Sequence, residues 1–99
     1  MSASLRQVMI KGEVQGVGYR AWVEHQAVAA GLEGWVRNRS DGSVEAVFAG
    51  SPKLAAEMVA LCRHGPPSAK VASVLNEATH PDLLDMRNAG ERFSVLPTA

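Results

Sequence analysis

Gly12-Glu13-Val14-Gln15-Gly16-Val17-Gly18-Tyr19-Arg20 sets three glycines and a closing arginine between an alternating apolar segment and one with helical spacing. Glycine lacks a Cβ, so it enters φ > 0 without strain and lets a ligand approach the main chain. Successive N–H groups in such a loop can turn into one concavity and hold an anion. A helix opening directly after the loop adds unpaired N–H groups and the positive end of its dipole. Arg20, at that helix start, carries a planar fork of donors matched to phosphate. The stretch reads as an oxyanion cradle made by the main chain of Gln15, Gly16, Val17, Gly18 and Tyr19 with the Arg20 side chain. The plain alternative is a glycine-rich chain reversal that holds nothing, and these residues alone leave both readings open. The nucleotide pattern G-x-x-x-x-G-K-[ST] is absent. Gly16 to Ala21 fits G-x-G-x-x-A, the loose dinucleotide form, but a doubly wound domain needs more chain than 99 residues.

Upstream of the cradle, residues 1–4 read as a loose end and Leu5 to Lys11 as a strand, with the parity of Val8 and Ile10 facing the core. Downstream, Arg20 to Ala30 has the spacing of a helix, with Val23, Ala27 and Ala30 as its stripe and Trp22 beside it. Gly31 suits the left-handed residue that ends a helix, and Leu32 its apolar partner. Gly34 to Arg39 is a second strand. Val36 and Asn38 share one face; Trp35, Arg37 and Arg39 share the other, where the two arginines read as solvated edge charges. If Val36 faces the helical layer, Asn38 emerges near the cradle. Asp41-Gly42 marks a hairpin, and Val44, Ala46 and Phe48 alternate along the returning strand.

Ser51 and Pro52 have the residue types of an N-cap and first helical position. The helix they open carries Leu54, Met58 and Leu61 as its apolar stripe, with Ala55, Val59 and Cys62 alongside, until Gly65-Pro66-Pro67 stops it. Lys70 to Ala78 is a strand whose period breaks, which predicts a bulge. His80-Pro81-Asp82 opens a loop in which Leu83, Leu84 and Met86 form a short helical turn over the core edge. Arg92 to Leu96 is a last strand. Strand, helix, strand, strand, helix, strand describes a two-layer α+β sandwich of the split βαβ type, its sheet mainly antiparallel and both helices on one face.

Ten basic residues balance ten acidic ones. The chain has no broad electrostatic footprint for nucleic acid or an anionic membrane. Cys62 is the single cysteine, which excludes an internal disulfide framework and a multi-cysteine zinc site. It reads as a small buried hydrophobe rather than a reactive thiolate. No apolar run approaches the roughly 20 residues of a membrane span. A single domain over residues 1–99, in the cytoplasm, is the expectation. His25, His64 and His80 have no partner pattern; His25 reads as a surface residue and His64 as a cation at a helix end.

At Val14 to Arg20 and at Gly34-Trp35-Val36-Arg37-Asn38 the chain resembles the acylphosphatase family. Asp41 to Glu45 and Gly65-Pro66-Pro67 with Val71 and Val74 extend the likeness over nearly the whole chain. Gly18 and Tyr19 depart from residues common in the family at those places, and the end after Val95 is less typical. The resemblance implies a ferredoxin-like fold (βαββαβ) and a small monomeric hydrolase that converts acyl phosphates to a carboxylate and inorganic phosphate; such a scheme requires no metal or cofactor, and the sequence has no H-E-x-x-H or clustered ligand pattern. It maps the phosphate ligand onto Arg20 and the residue that positions the attacking water onto Asn38.

That chemistry suits those residue types. The carboxylate leaving group departs readily, so the obstacle is a phosphoryl dianion that repels nucleophiles. Fixed N–H donors and a guanidinium stabilise its oxygens as charge shifts. A carboxamide takes no proton at neutral pH but accepts from water and holds it in line. Two other functions compete. A non-catalytic phosphate-binding or regulatory module needs only the cradle. An RNA-binding sheet needs basic residues and adjacent exposed aromatics, whereas Tyr19, Trp22, Trp35, Phe48 and Phe93 are scattered in a neutral chain.

Overall fold

The computed structural model describes residues 3–99. Five strands and two helices form one sheet with a helical layer: β1 (Ser4–Glu13), α1 (Tyr19–Ala29), β2 (Glu33–Asn38), β3 (Val44–Gly50), α2 (Pro52–His64), β4 (Lys70–Ala78) and β5 (Phe93–Val95). A 3₁₀ segment, Pro81–Met86, precedes β5. The sheet order is β4-β1-β3-β2-β5. β1 pairs antiparallel with both β3 and β4, β2 pairs antiparallel with β3, and β5 lies parallel to β2. The α+β ferredoxin-like architecture is as the sequence predicts, on a sheet made mixed by its fifth strand.

The main core lies between sheet and helices. Val8 and Ile10 from β1, Val36 from β2 and Val44, Ala46 and Phe48 from β3 meet Val23 and Ala27 of α1 and Met58, Val59 and Cys62 of α2. Ser51 caps α2 through Oγ, which accepts from the Leu54 N–H at 3.2 Å. α1 ends as Leu32 N–H donates to the Ala27 carbonyl at 2.9 Å, past Gly31 at φ 73°. The bulge falls between β1 and β4, where Lys11 pairs with Ser73 but Gly12 with Val71.

Several expectations are corrected. Ser4 already belongs to β1, paired with Gly50; Met1 and Ser2, the rest of the expected loose end with Ala3, lie outside the described residues. α1 starts one residue earlier than predicted, and Ala30 is its C-cap, still packed half-buried against the core. Leu61 is 40% exposed, because the buried stripe of α2 runs through Ala55, Met58, Val59 and Cys62 instead. Met86 also stays exposed. The far face of the sheet is not open. Trp35 and Val47 are fully buried there with Leu96, under Leu83 and Leu84 of the 3₁₀ segment. The Trp35 indole N–H donates to the Leu83 carbonyl at 2.7 Å, which satisfies its one polar group.

Arg37 and Arg39 are not solvated edge charges. β5 covers the outer side of β2, and both guanidinium groups converge on Glu45 of β3, which is only 3% exposed. One Glu45 oxygen accepts from Arg37 Nε at 2.8 Å and Arg39 Nη1 at 3.1 Å; the other accepts from Gln7 Nε2 at 2.7 Å. Arg37 also lies over the Trp35 ring, 4.8 Å from its centroid.

Candidate active site

The loop between β1 and α1 turns on two glycines. Gly16 (φ 74°) and Gly18 (φ 77°) both occupy the left-handed region, with open space where a Cβ would stand. Conformation rather than crowding therefore calls for glycine. Gly18 is the N-cap of α1, whose end no side chain caps. The first N–H groups of α1 are thus presented at the loop, at the positive end of the helix dipole.

Tyr19 anchors the loop. Its ring is buried against Trp22, with centroids 5.5 Å apart, and its hydroxyl donates to the Cys62 carbonyl on α2. Burial drives the Tyr19 phenol pKa far up, and it pushes the Cys62 thiol up to about 12, so neither group supplies a nucleophile at neutral pH. Gln15 anchors the other side. Its Nε2 donates to the Arg39 carbonyl at 2.8 Å and the Ser43 carbonyl at 2.9 Å, tying the cradle to the β2–β3 turn.

That turn is itself closed tightly. Arg39 N–H donates to the Ser43 carbonyl at 2.9 Å, and Asp41 Oδ1 accepts from the Ser43 N–H at 2.9 Å and hydroxyl at 2.6 Å. The Ser43 hydroxyl and N–H hold the Asp41 carboxyl below its usual range. Asn38 is the last residue of β2, next to this turn. The Ala99 N–H donates to its carbonyl at 3.0 Å, and the Ser40 N–H donates to the Ala99 carbonyl at 2.8 Å, so the final residues continue the edge along which β5 pairs with β2.

Gly16, Gly18, Tyr19, Arg20 and Asn38 line one cavity of about 460 Å³. Of the predicted cradle residues, Gln15 and Val17 do not line it: the Gln15 side chain is spent on the hairpin, and Val17 packs against the core. Four lining residues escaped sequence reasoning: Val14, Ala21, Glu24 and Val95. Glu24 had a signal, since it follows Arg20 by one helical turn. Val95 had none, because only the pairing of β5 with β2 brings it there. Asn38 and Arg20 reach the cavity from separate elements, the strand and the helix. Their side chains are partly exposed, and among the described residues neither forms an ion pair or side-chain hydrogen bond within the protein. Among the described residues no group of three His, Cys, Asp or Glu side chains is gathered as a metal site would require. No helix there is long and apolar enough to cross a membrane.

The acylphosphatase family profile matches residues 6–88, and so takes in the whole β1–α1 loop and Asn38. The chain belongs to the acylphosphatase family. It is 69% identical over 98 residues to an acylphosphatase of Bradyrhizobium diazoefficiens, covering 99% of both chains. Among solved structures it is similar to an acylphosphatase from Coxiella burnetii, with a TM-score of 0.81 at 30% identity over 96% of this chain and 94% of that one. It is similar as well to the Bacillus subtilis acylphosphatase, with a TM-score of 0.79 at 31% identity, covering 93% of this chain and 97% of the other. The acylphosphatase profile stops before β5, so Val95 of the cavity wall lies outside the matched span.

Proposed function

We propose that this chain hydrolyses the carboxyl-phosphate bond of acyl phosphates, using Arg20 and Asn38 as its catalytic side chains and main-chain N–H groups of the Gln15–Tyr19 loop as phosphate donors. The observation that carries the reading is the convergence of Arg20, Asn38 and the Gly16–Gly18 turn on one cavity at an uncapped helix N-terminus. The phosphoryl group sits in the cradle, where N–H donors and the Arg20 fork face its equatorial oxygens. The Asn38 carboxamide oxygen accepts from a water molecule and holds it in line with the leaving carboxylate. The water oxygen bonds to phosphorus as the P–O bond to the acyl group breaks. Its proton passes late, to a phosphate oxygen, so one acyl phosphate dianion and one water yield a carboxylate and dihydrogen phosphate. Gln15 and Val17 shape the loop from outside the cavity, and Gly16, Gly18 and Tyr19 line it.

All the positive charge in this scheme comes from the protein's own donors, so it runs without a metal ion or cofactor, on a monomeric single domain and without nucleic acid or membrane. The test is phosphate release from benzoyl phosphate in the presence of a chelator, with wild type and Asn38→Ala side by side. Turnover by wild type and its loss in the variant support hydrolysis. Binding of inorganic phosphate with no turnover by wild type would instead favour the non-catalytic module. An essential base titrating near the histidine range would contradict the late proton transfer to phosphate.

A further inference from the structure

A carboxylate lines the cavity in which the proposed reaction places a dianion. Glu24 stands one turn along α1 from Arg20, so its Cα lies about 6 Å further from the loop, on the same face of the helix. It is half-buried, and among the described residues it forms no ion pair. A carboxylate left unpaired in the wall of an anion site opposes binding unless part of the ligand answers it.

The cavity's layout says which part. Gly16, Gly18 and Arg20 belong to the loop and the first turn of α1, whereas Glu24 lines the same cavity from the next turn of the helix and Val95 from β5. The volume of about 460 Å³ equals roughly fifteen waters of liquid. A phosphoryl group fills a minor part of it, and the acyl portion of the substrate occupies the rest, against an apolar wall broken by a single acid. We infer that Glu24 is a specificity-determining residue that selects acyl phosphates carrying a cation or hydrogen-bond donor on the acyl group and disfavours those carrying a second carboxylate. This rests on the acyl phosphate reading above and adds a substrate class to it.

The experiment compares kcat/KM for benzoyl phosphate and two derivatives of equal length, 4-(aminomethyl)benzoyl phosphate and 4-carboxybenzoyl phosphate. Wild type and Glu24→Gln are assayed at low and at high salt. Wild type should favour the ammonium substrate over the carboxylate one. Glu24→Gln, which keeps the shape and removes the charge, should shrink that ratio by at least about fivefold, since it abolishes both the attraction for the ammonium and the repulsion of the carboxylate at a partly desolvated site. Salt should compress the ratio in wild type and leave the variant's ratio nearly flat. A ratio equal in both proteins, with benzoyl phosphate hydrolysed normally by wild type, overturns the role of Glu24 and leaves the hydrolase reading intact. No hydrolysis of benzoyl phosphate by wild type overturns the hydrolase reading, and this inference with it.

Discussion

Arg20 and the pair Arg37 and Arg39 carry the same guanidinium in opposite circumstances. On the helical side of the sheet, Arg20 faces a cavity, and among the described residues it has no carboxylate partner. On the far side, Arg37 and Arg39 share one buried acid, and Gln7 occupies that acid's other oxygen. The two settings are one residue apart in register, because β2 alternates: Asn38 lines the cavity while its neighbours on either side turn to Glu45. Neutralised cations brace the strand end, and the unneutralised one is the cation that the proposed reaction assigns to the phosphoryl group. Positive charge near a site is thus a poor guide to the site; the useful sign is charge without a partner.

The comparison breaks most visibly through the free groups. Arg20→Gln and Asn38→Ala should each lower kcat for benzoyl phosphate by on the order of 10²–10³, as the loss of one fixed transition-state donor does. Thermal unfolding should barely move, since among the described residues neither side chain forms an ion pair or side-chain hydrogen bond within the fold. Near-normal rates in both folded variants would remove the basis for the site. Arg37→Gln should behave in the reverse manner, with a lower melting temperature and a smaller change in turnover.

Glu45 sharpens the other half. Glu45→Ala leaves two guanidinium groups facing each other without their anion. Removing one partner of a buried pair costs about 3–5 kcal/mol, and the partial exposure of both arginines brings the expected loss to about 2 kcal/mol through solvent screening, read as a lower urea midpoint at unchanged m. Acid should reveal the same group in the wild type. Burial alone would raise the Glu45 pKa, but the hydrogen bonds from Arg37 and Gln7 and the positive charge of Arg37 outweigh it, and the net shift is downward. A carboxylate depressed by folding stabilises the native state fully above its ordinary range, and that contribution is lost as pH falls through the lowered value. Urea midpoints measured from pH 6 to pH 3 should therefore fall more steeply for wild type than for Glu45→Gln. Parallel curves would show that folding leaves the Glu45 pKa where it is in the unfolded chain, so that its partners do not favour the charged form.

Much of the fold was legible because its signals are local. Ser51-Pro52, Gly31-Leu32 and Asp41-Gly42 act on neighbouring main-chain groups, and each does in the structure what its chemistry requires. The alternation of β2 also placed Val36 and Asn38 on one face, which is why the two elements of the candidate site could be brought together on paper. What stayed hidden depends on distant chain. Val44 to Ala49 is buried at every position, so parity along β3 does not tell one face from the other. The cover over Trp35 comes from a 3₁₀ turn nearly fifty residues later. An acid in a strand ordinarily reads as solvent-facing, and only the convergence of Arg37, Arg39 and Gln7 makes the burial of Glu45 tolerable. Leu61 is the opposite error: helical spacing allowed it in the stripe, but the sheet meets α2 one position over.

The smallest expected effect lies at the joint between the two regions. Gln15 directly precedes the Gly16–Gly18 turn, and its side chain spans to the Arg39 and Ser43 carbonyls, one residue beyond Asn38 and at the far side of the turn. Gln15→Ala deletes two partly exposed hydrogen bonds, each contributing about 0.5–1.5 kcal/mol at most when buried, so stability should drop by about 1 kcal/mol or less. Turnover should drop by more than that figure suggests, because the same two bonds hold the loop against the strand that carries Asn38, and small misplacements of reacting groups are costly. The informative readout is the split between constants. If Gln15 aligns the phosphate donors with the water-positioning group, kcat falls while KM for benzoyl phosphate changes little. If it only stiffens the loop for binding, KM rises at constant kcat, and the cradle and the strand end work as separate parts.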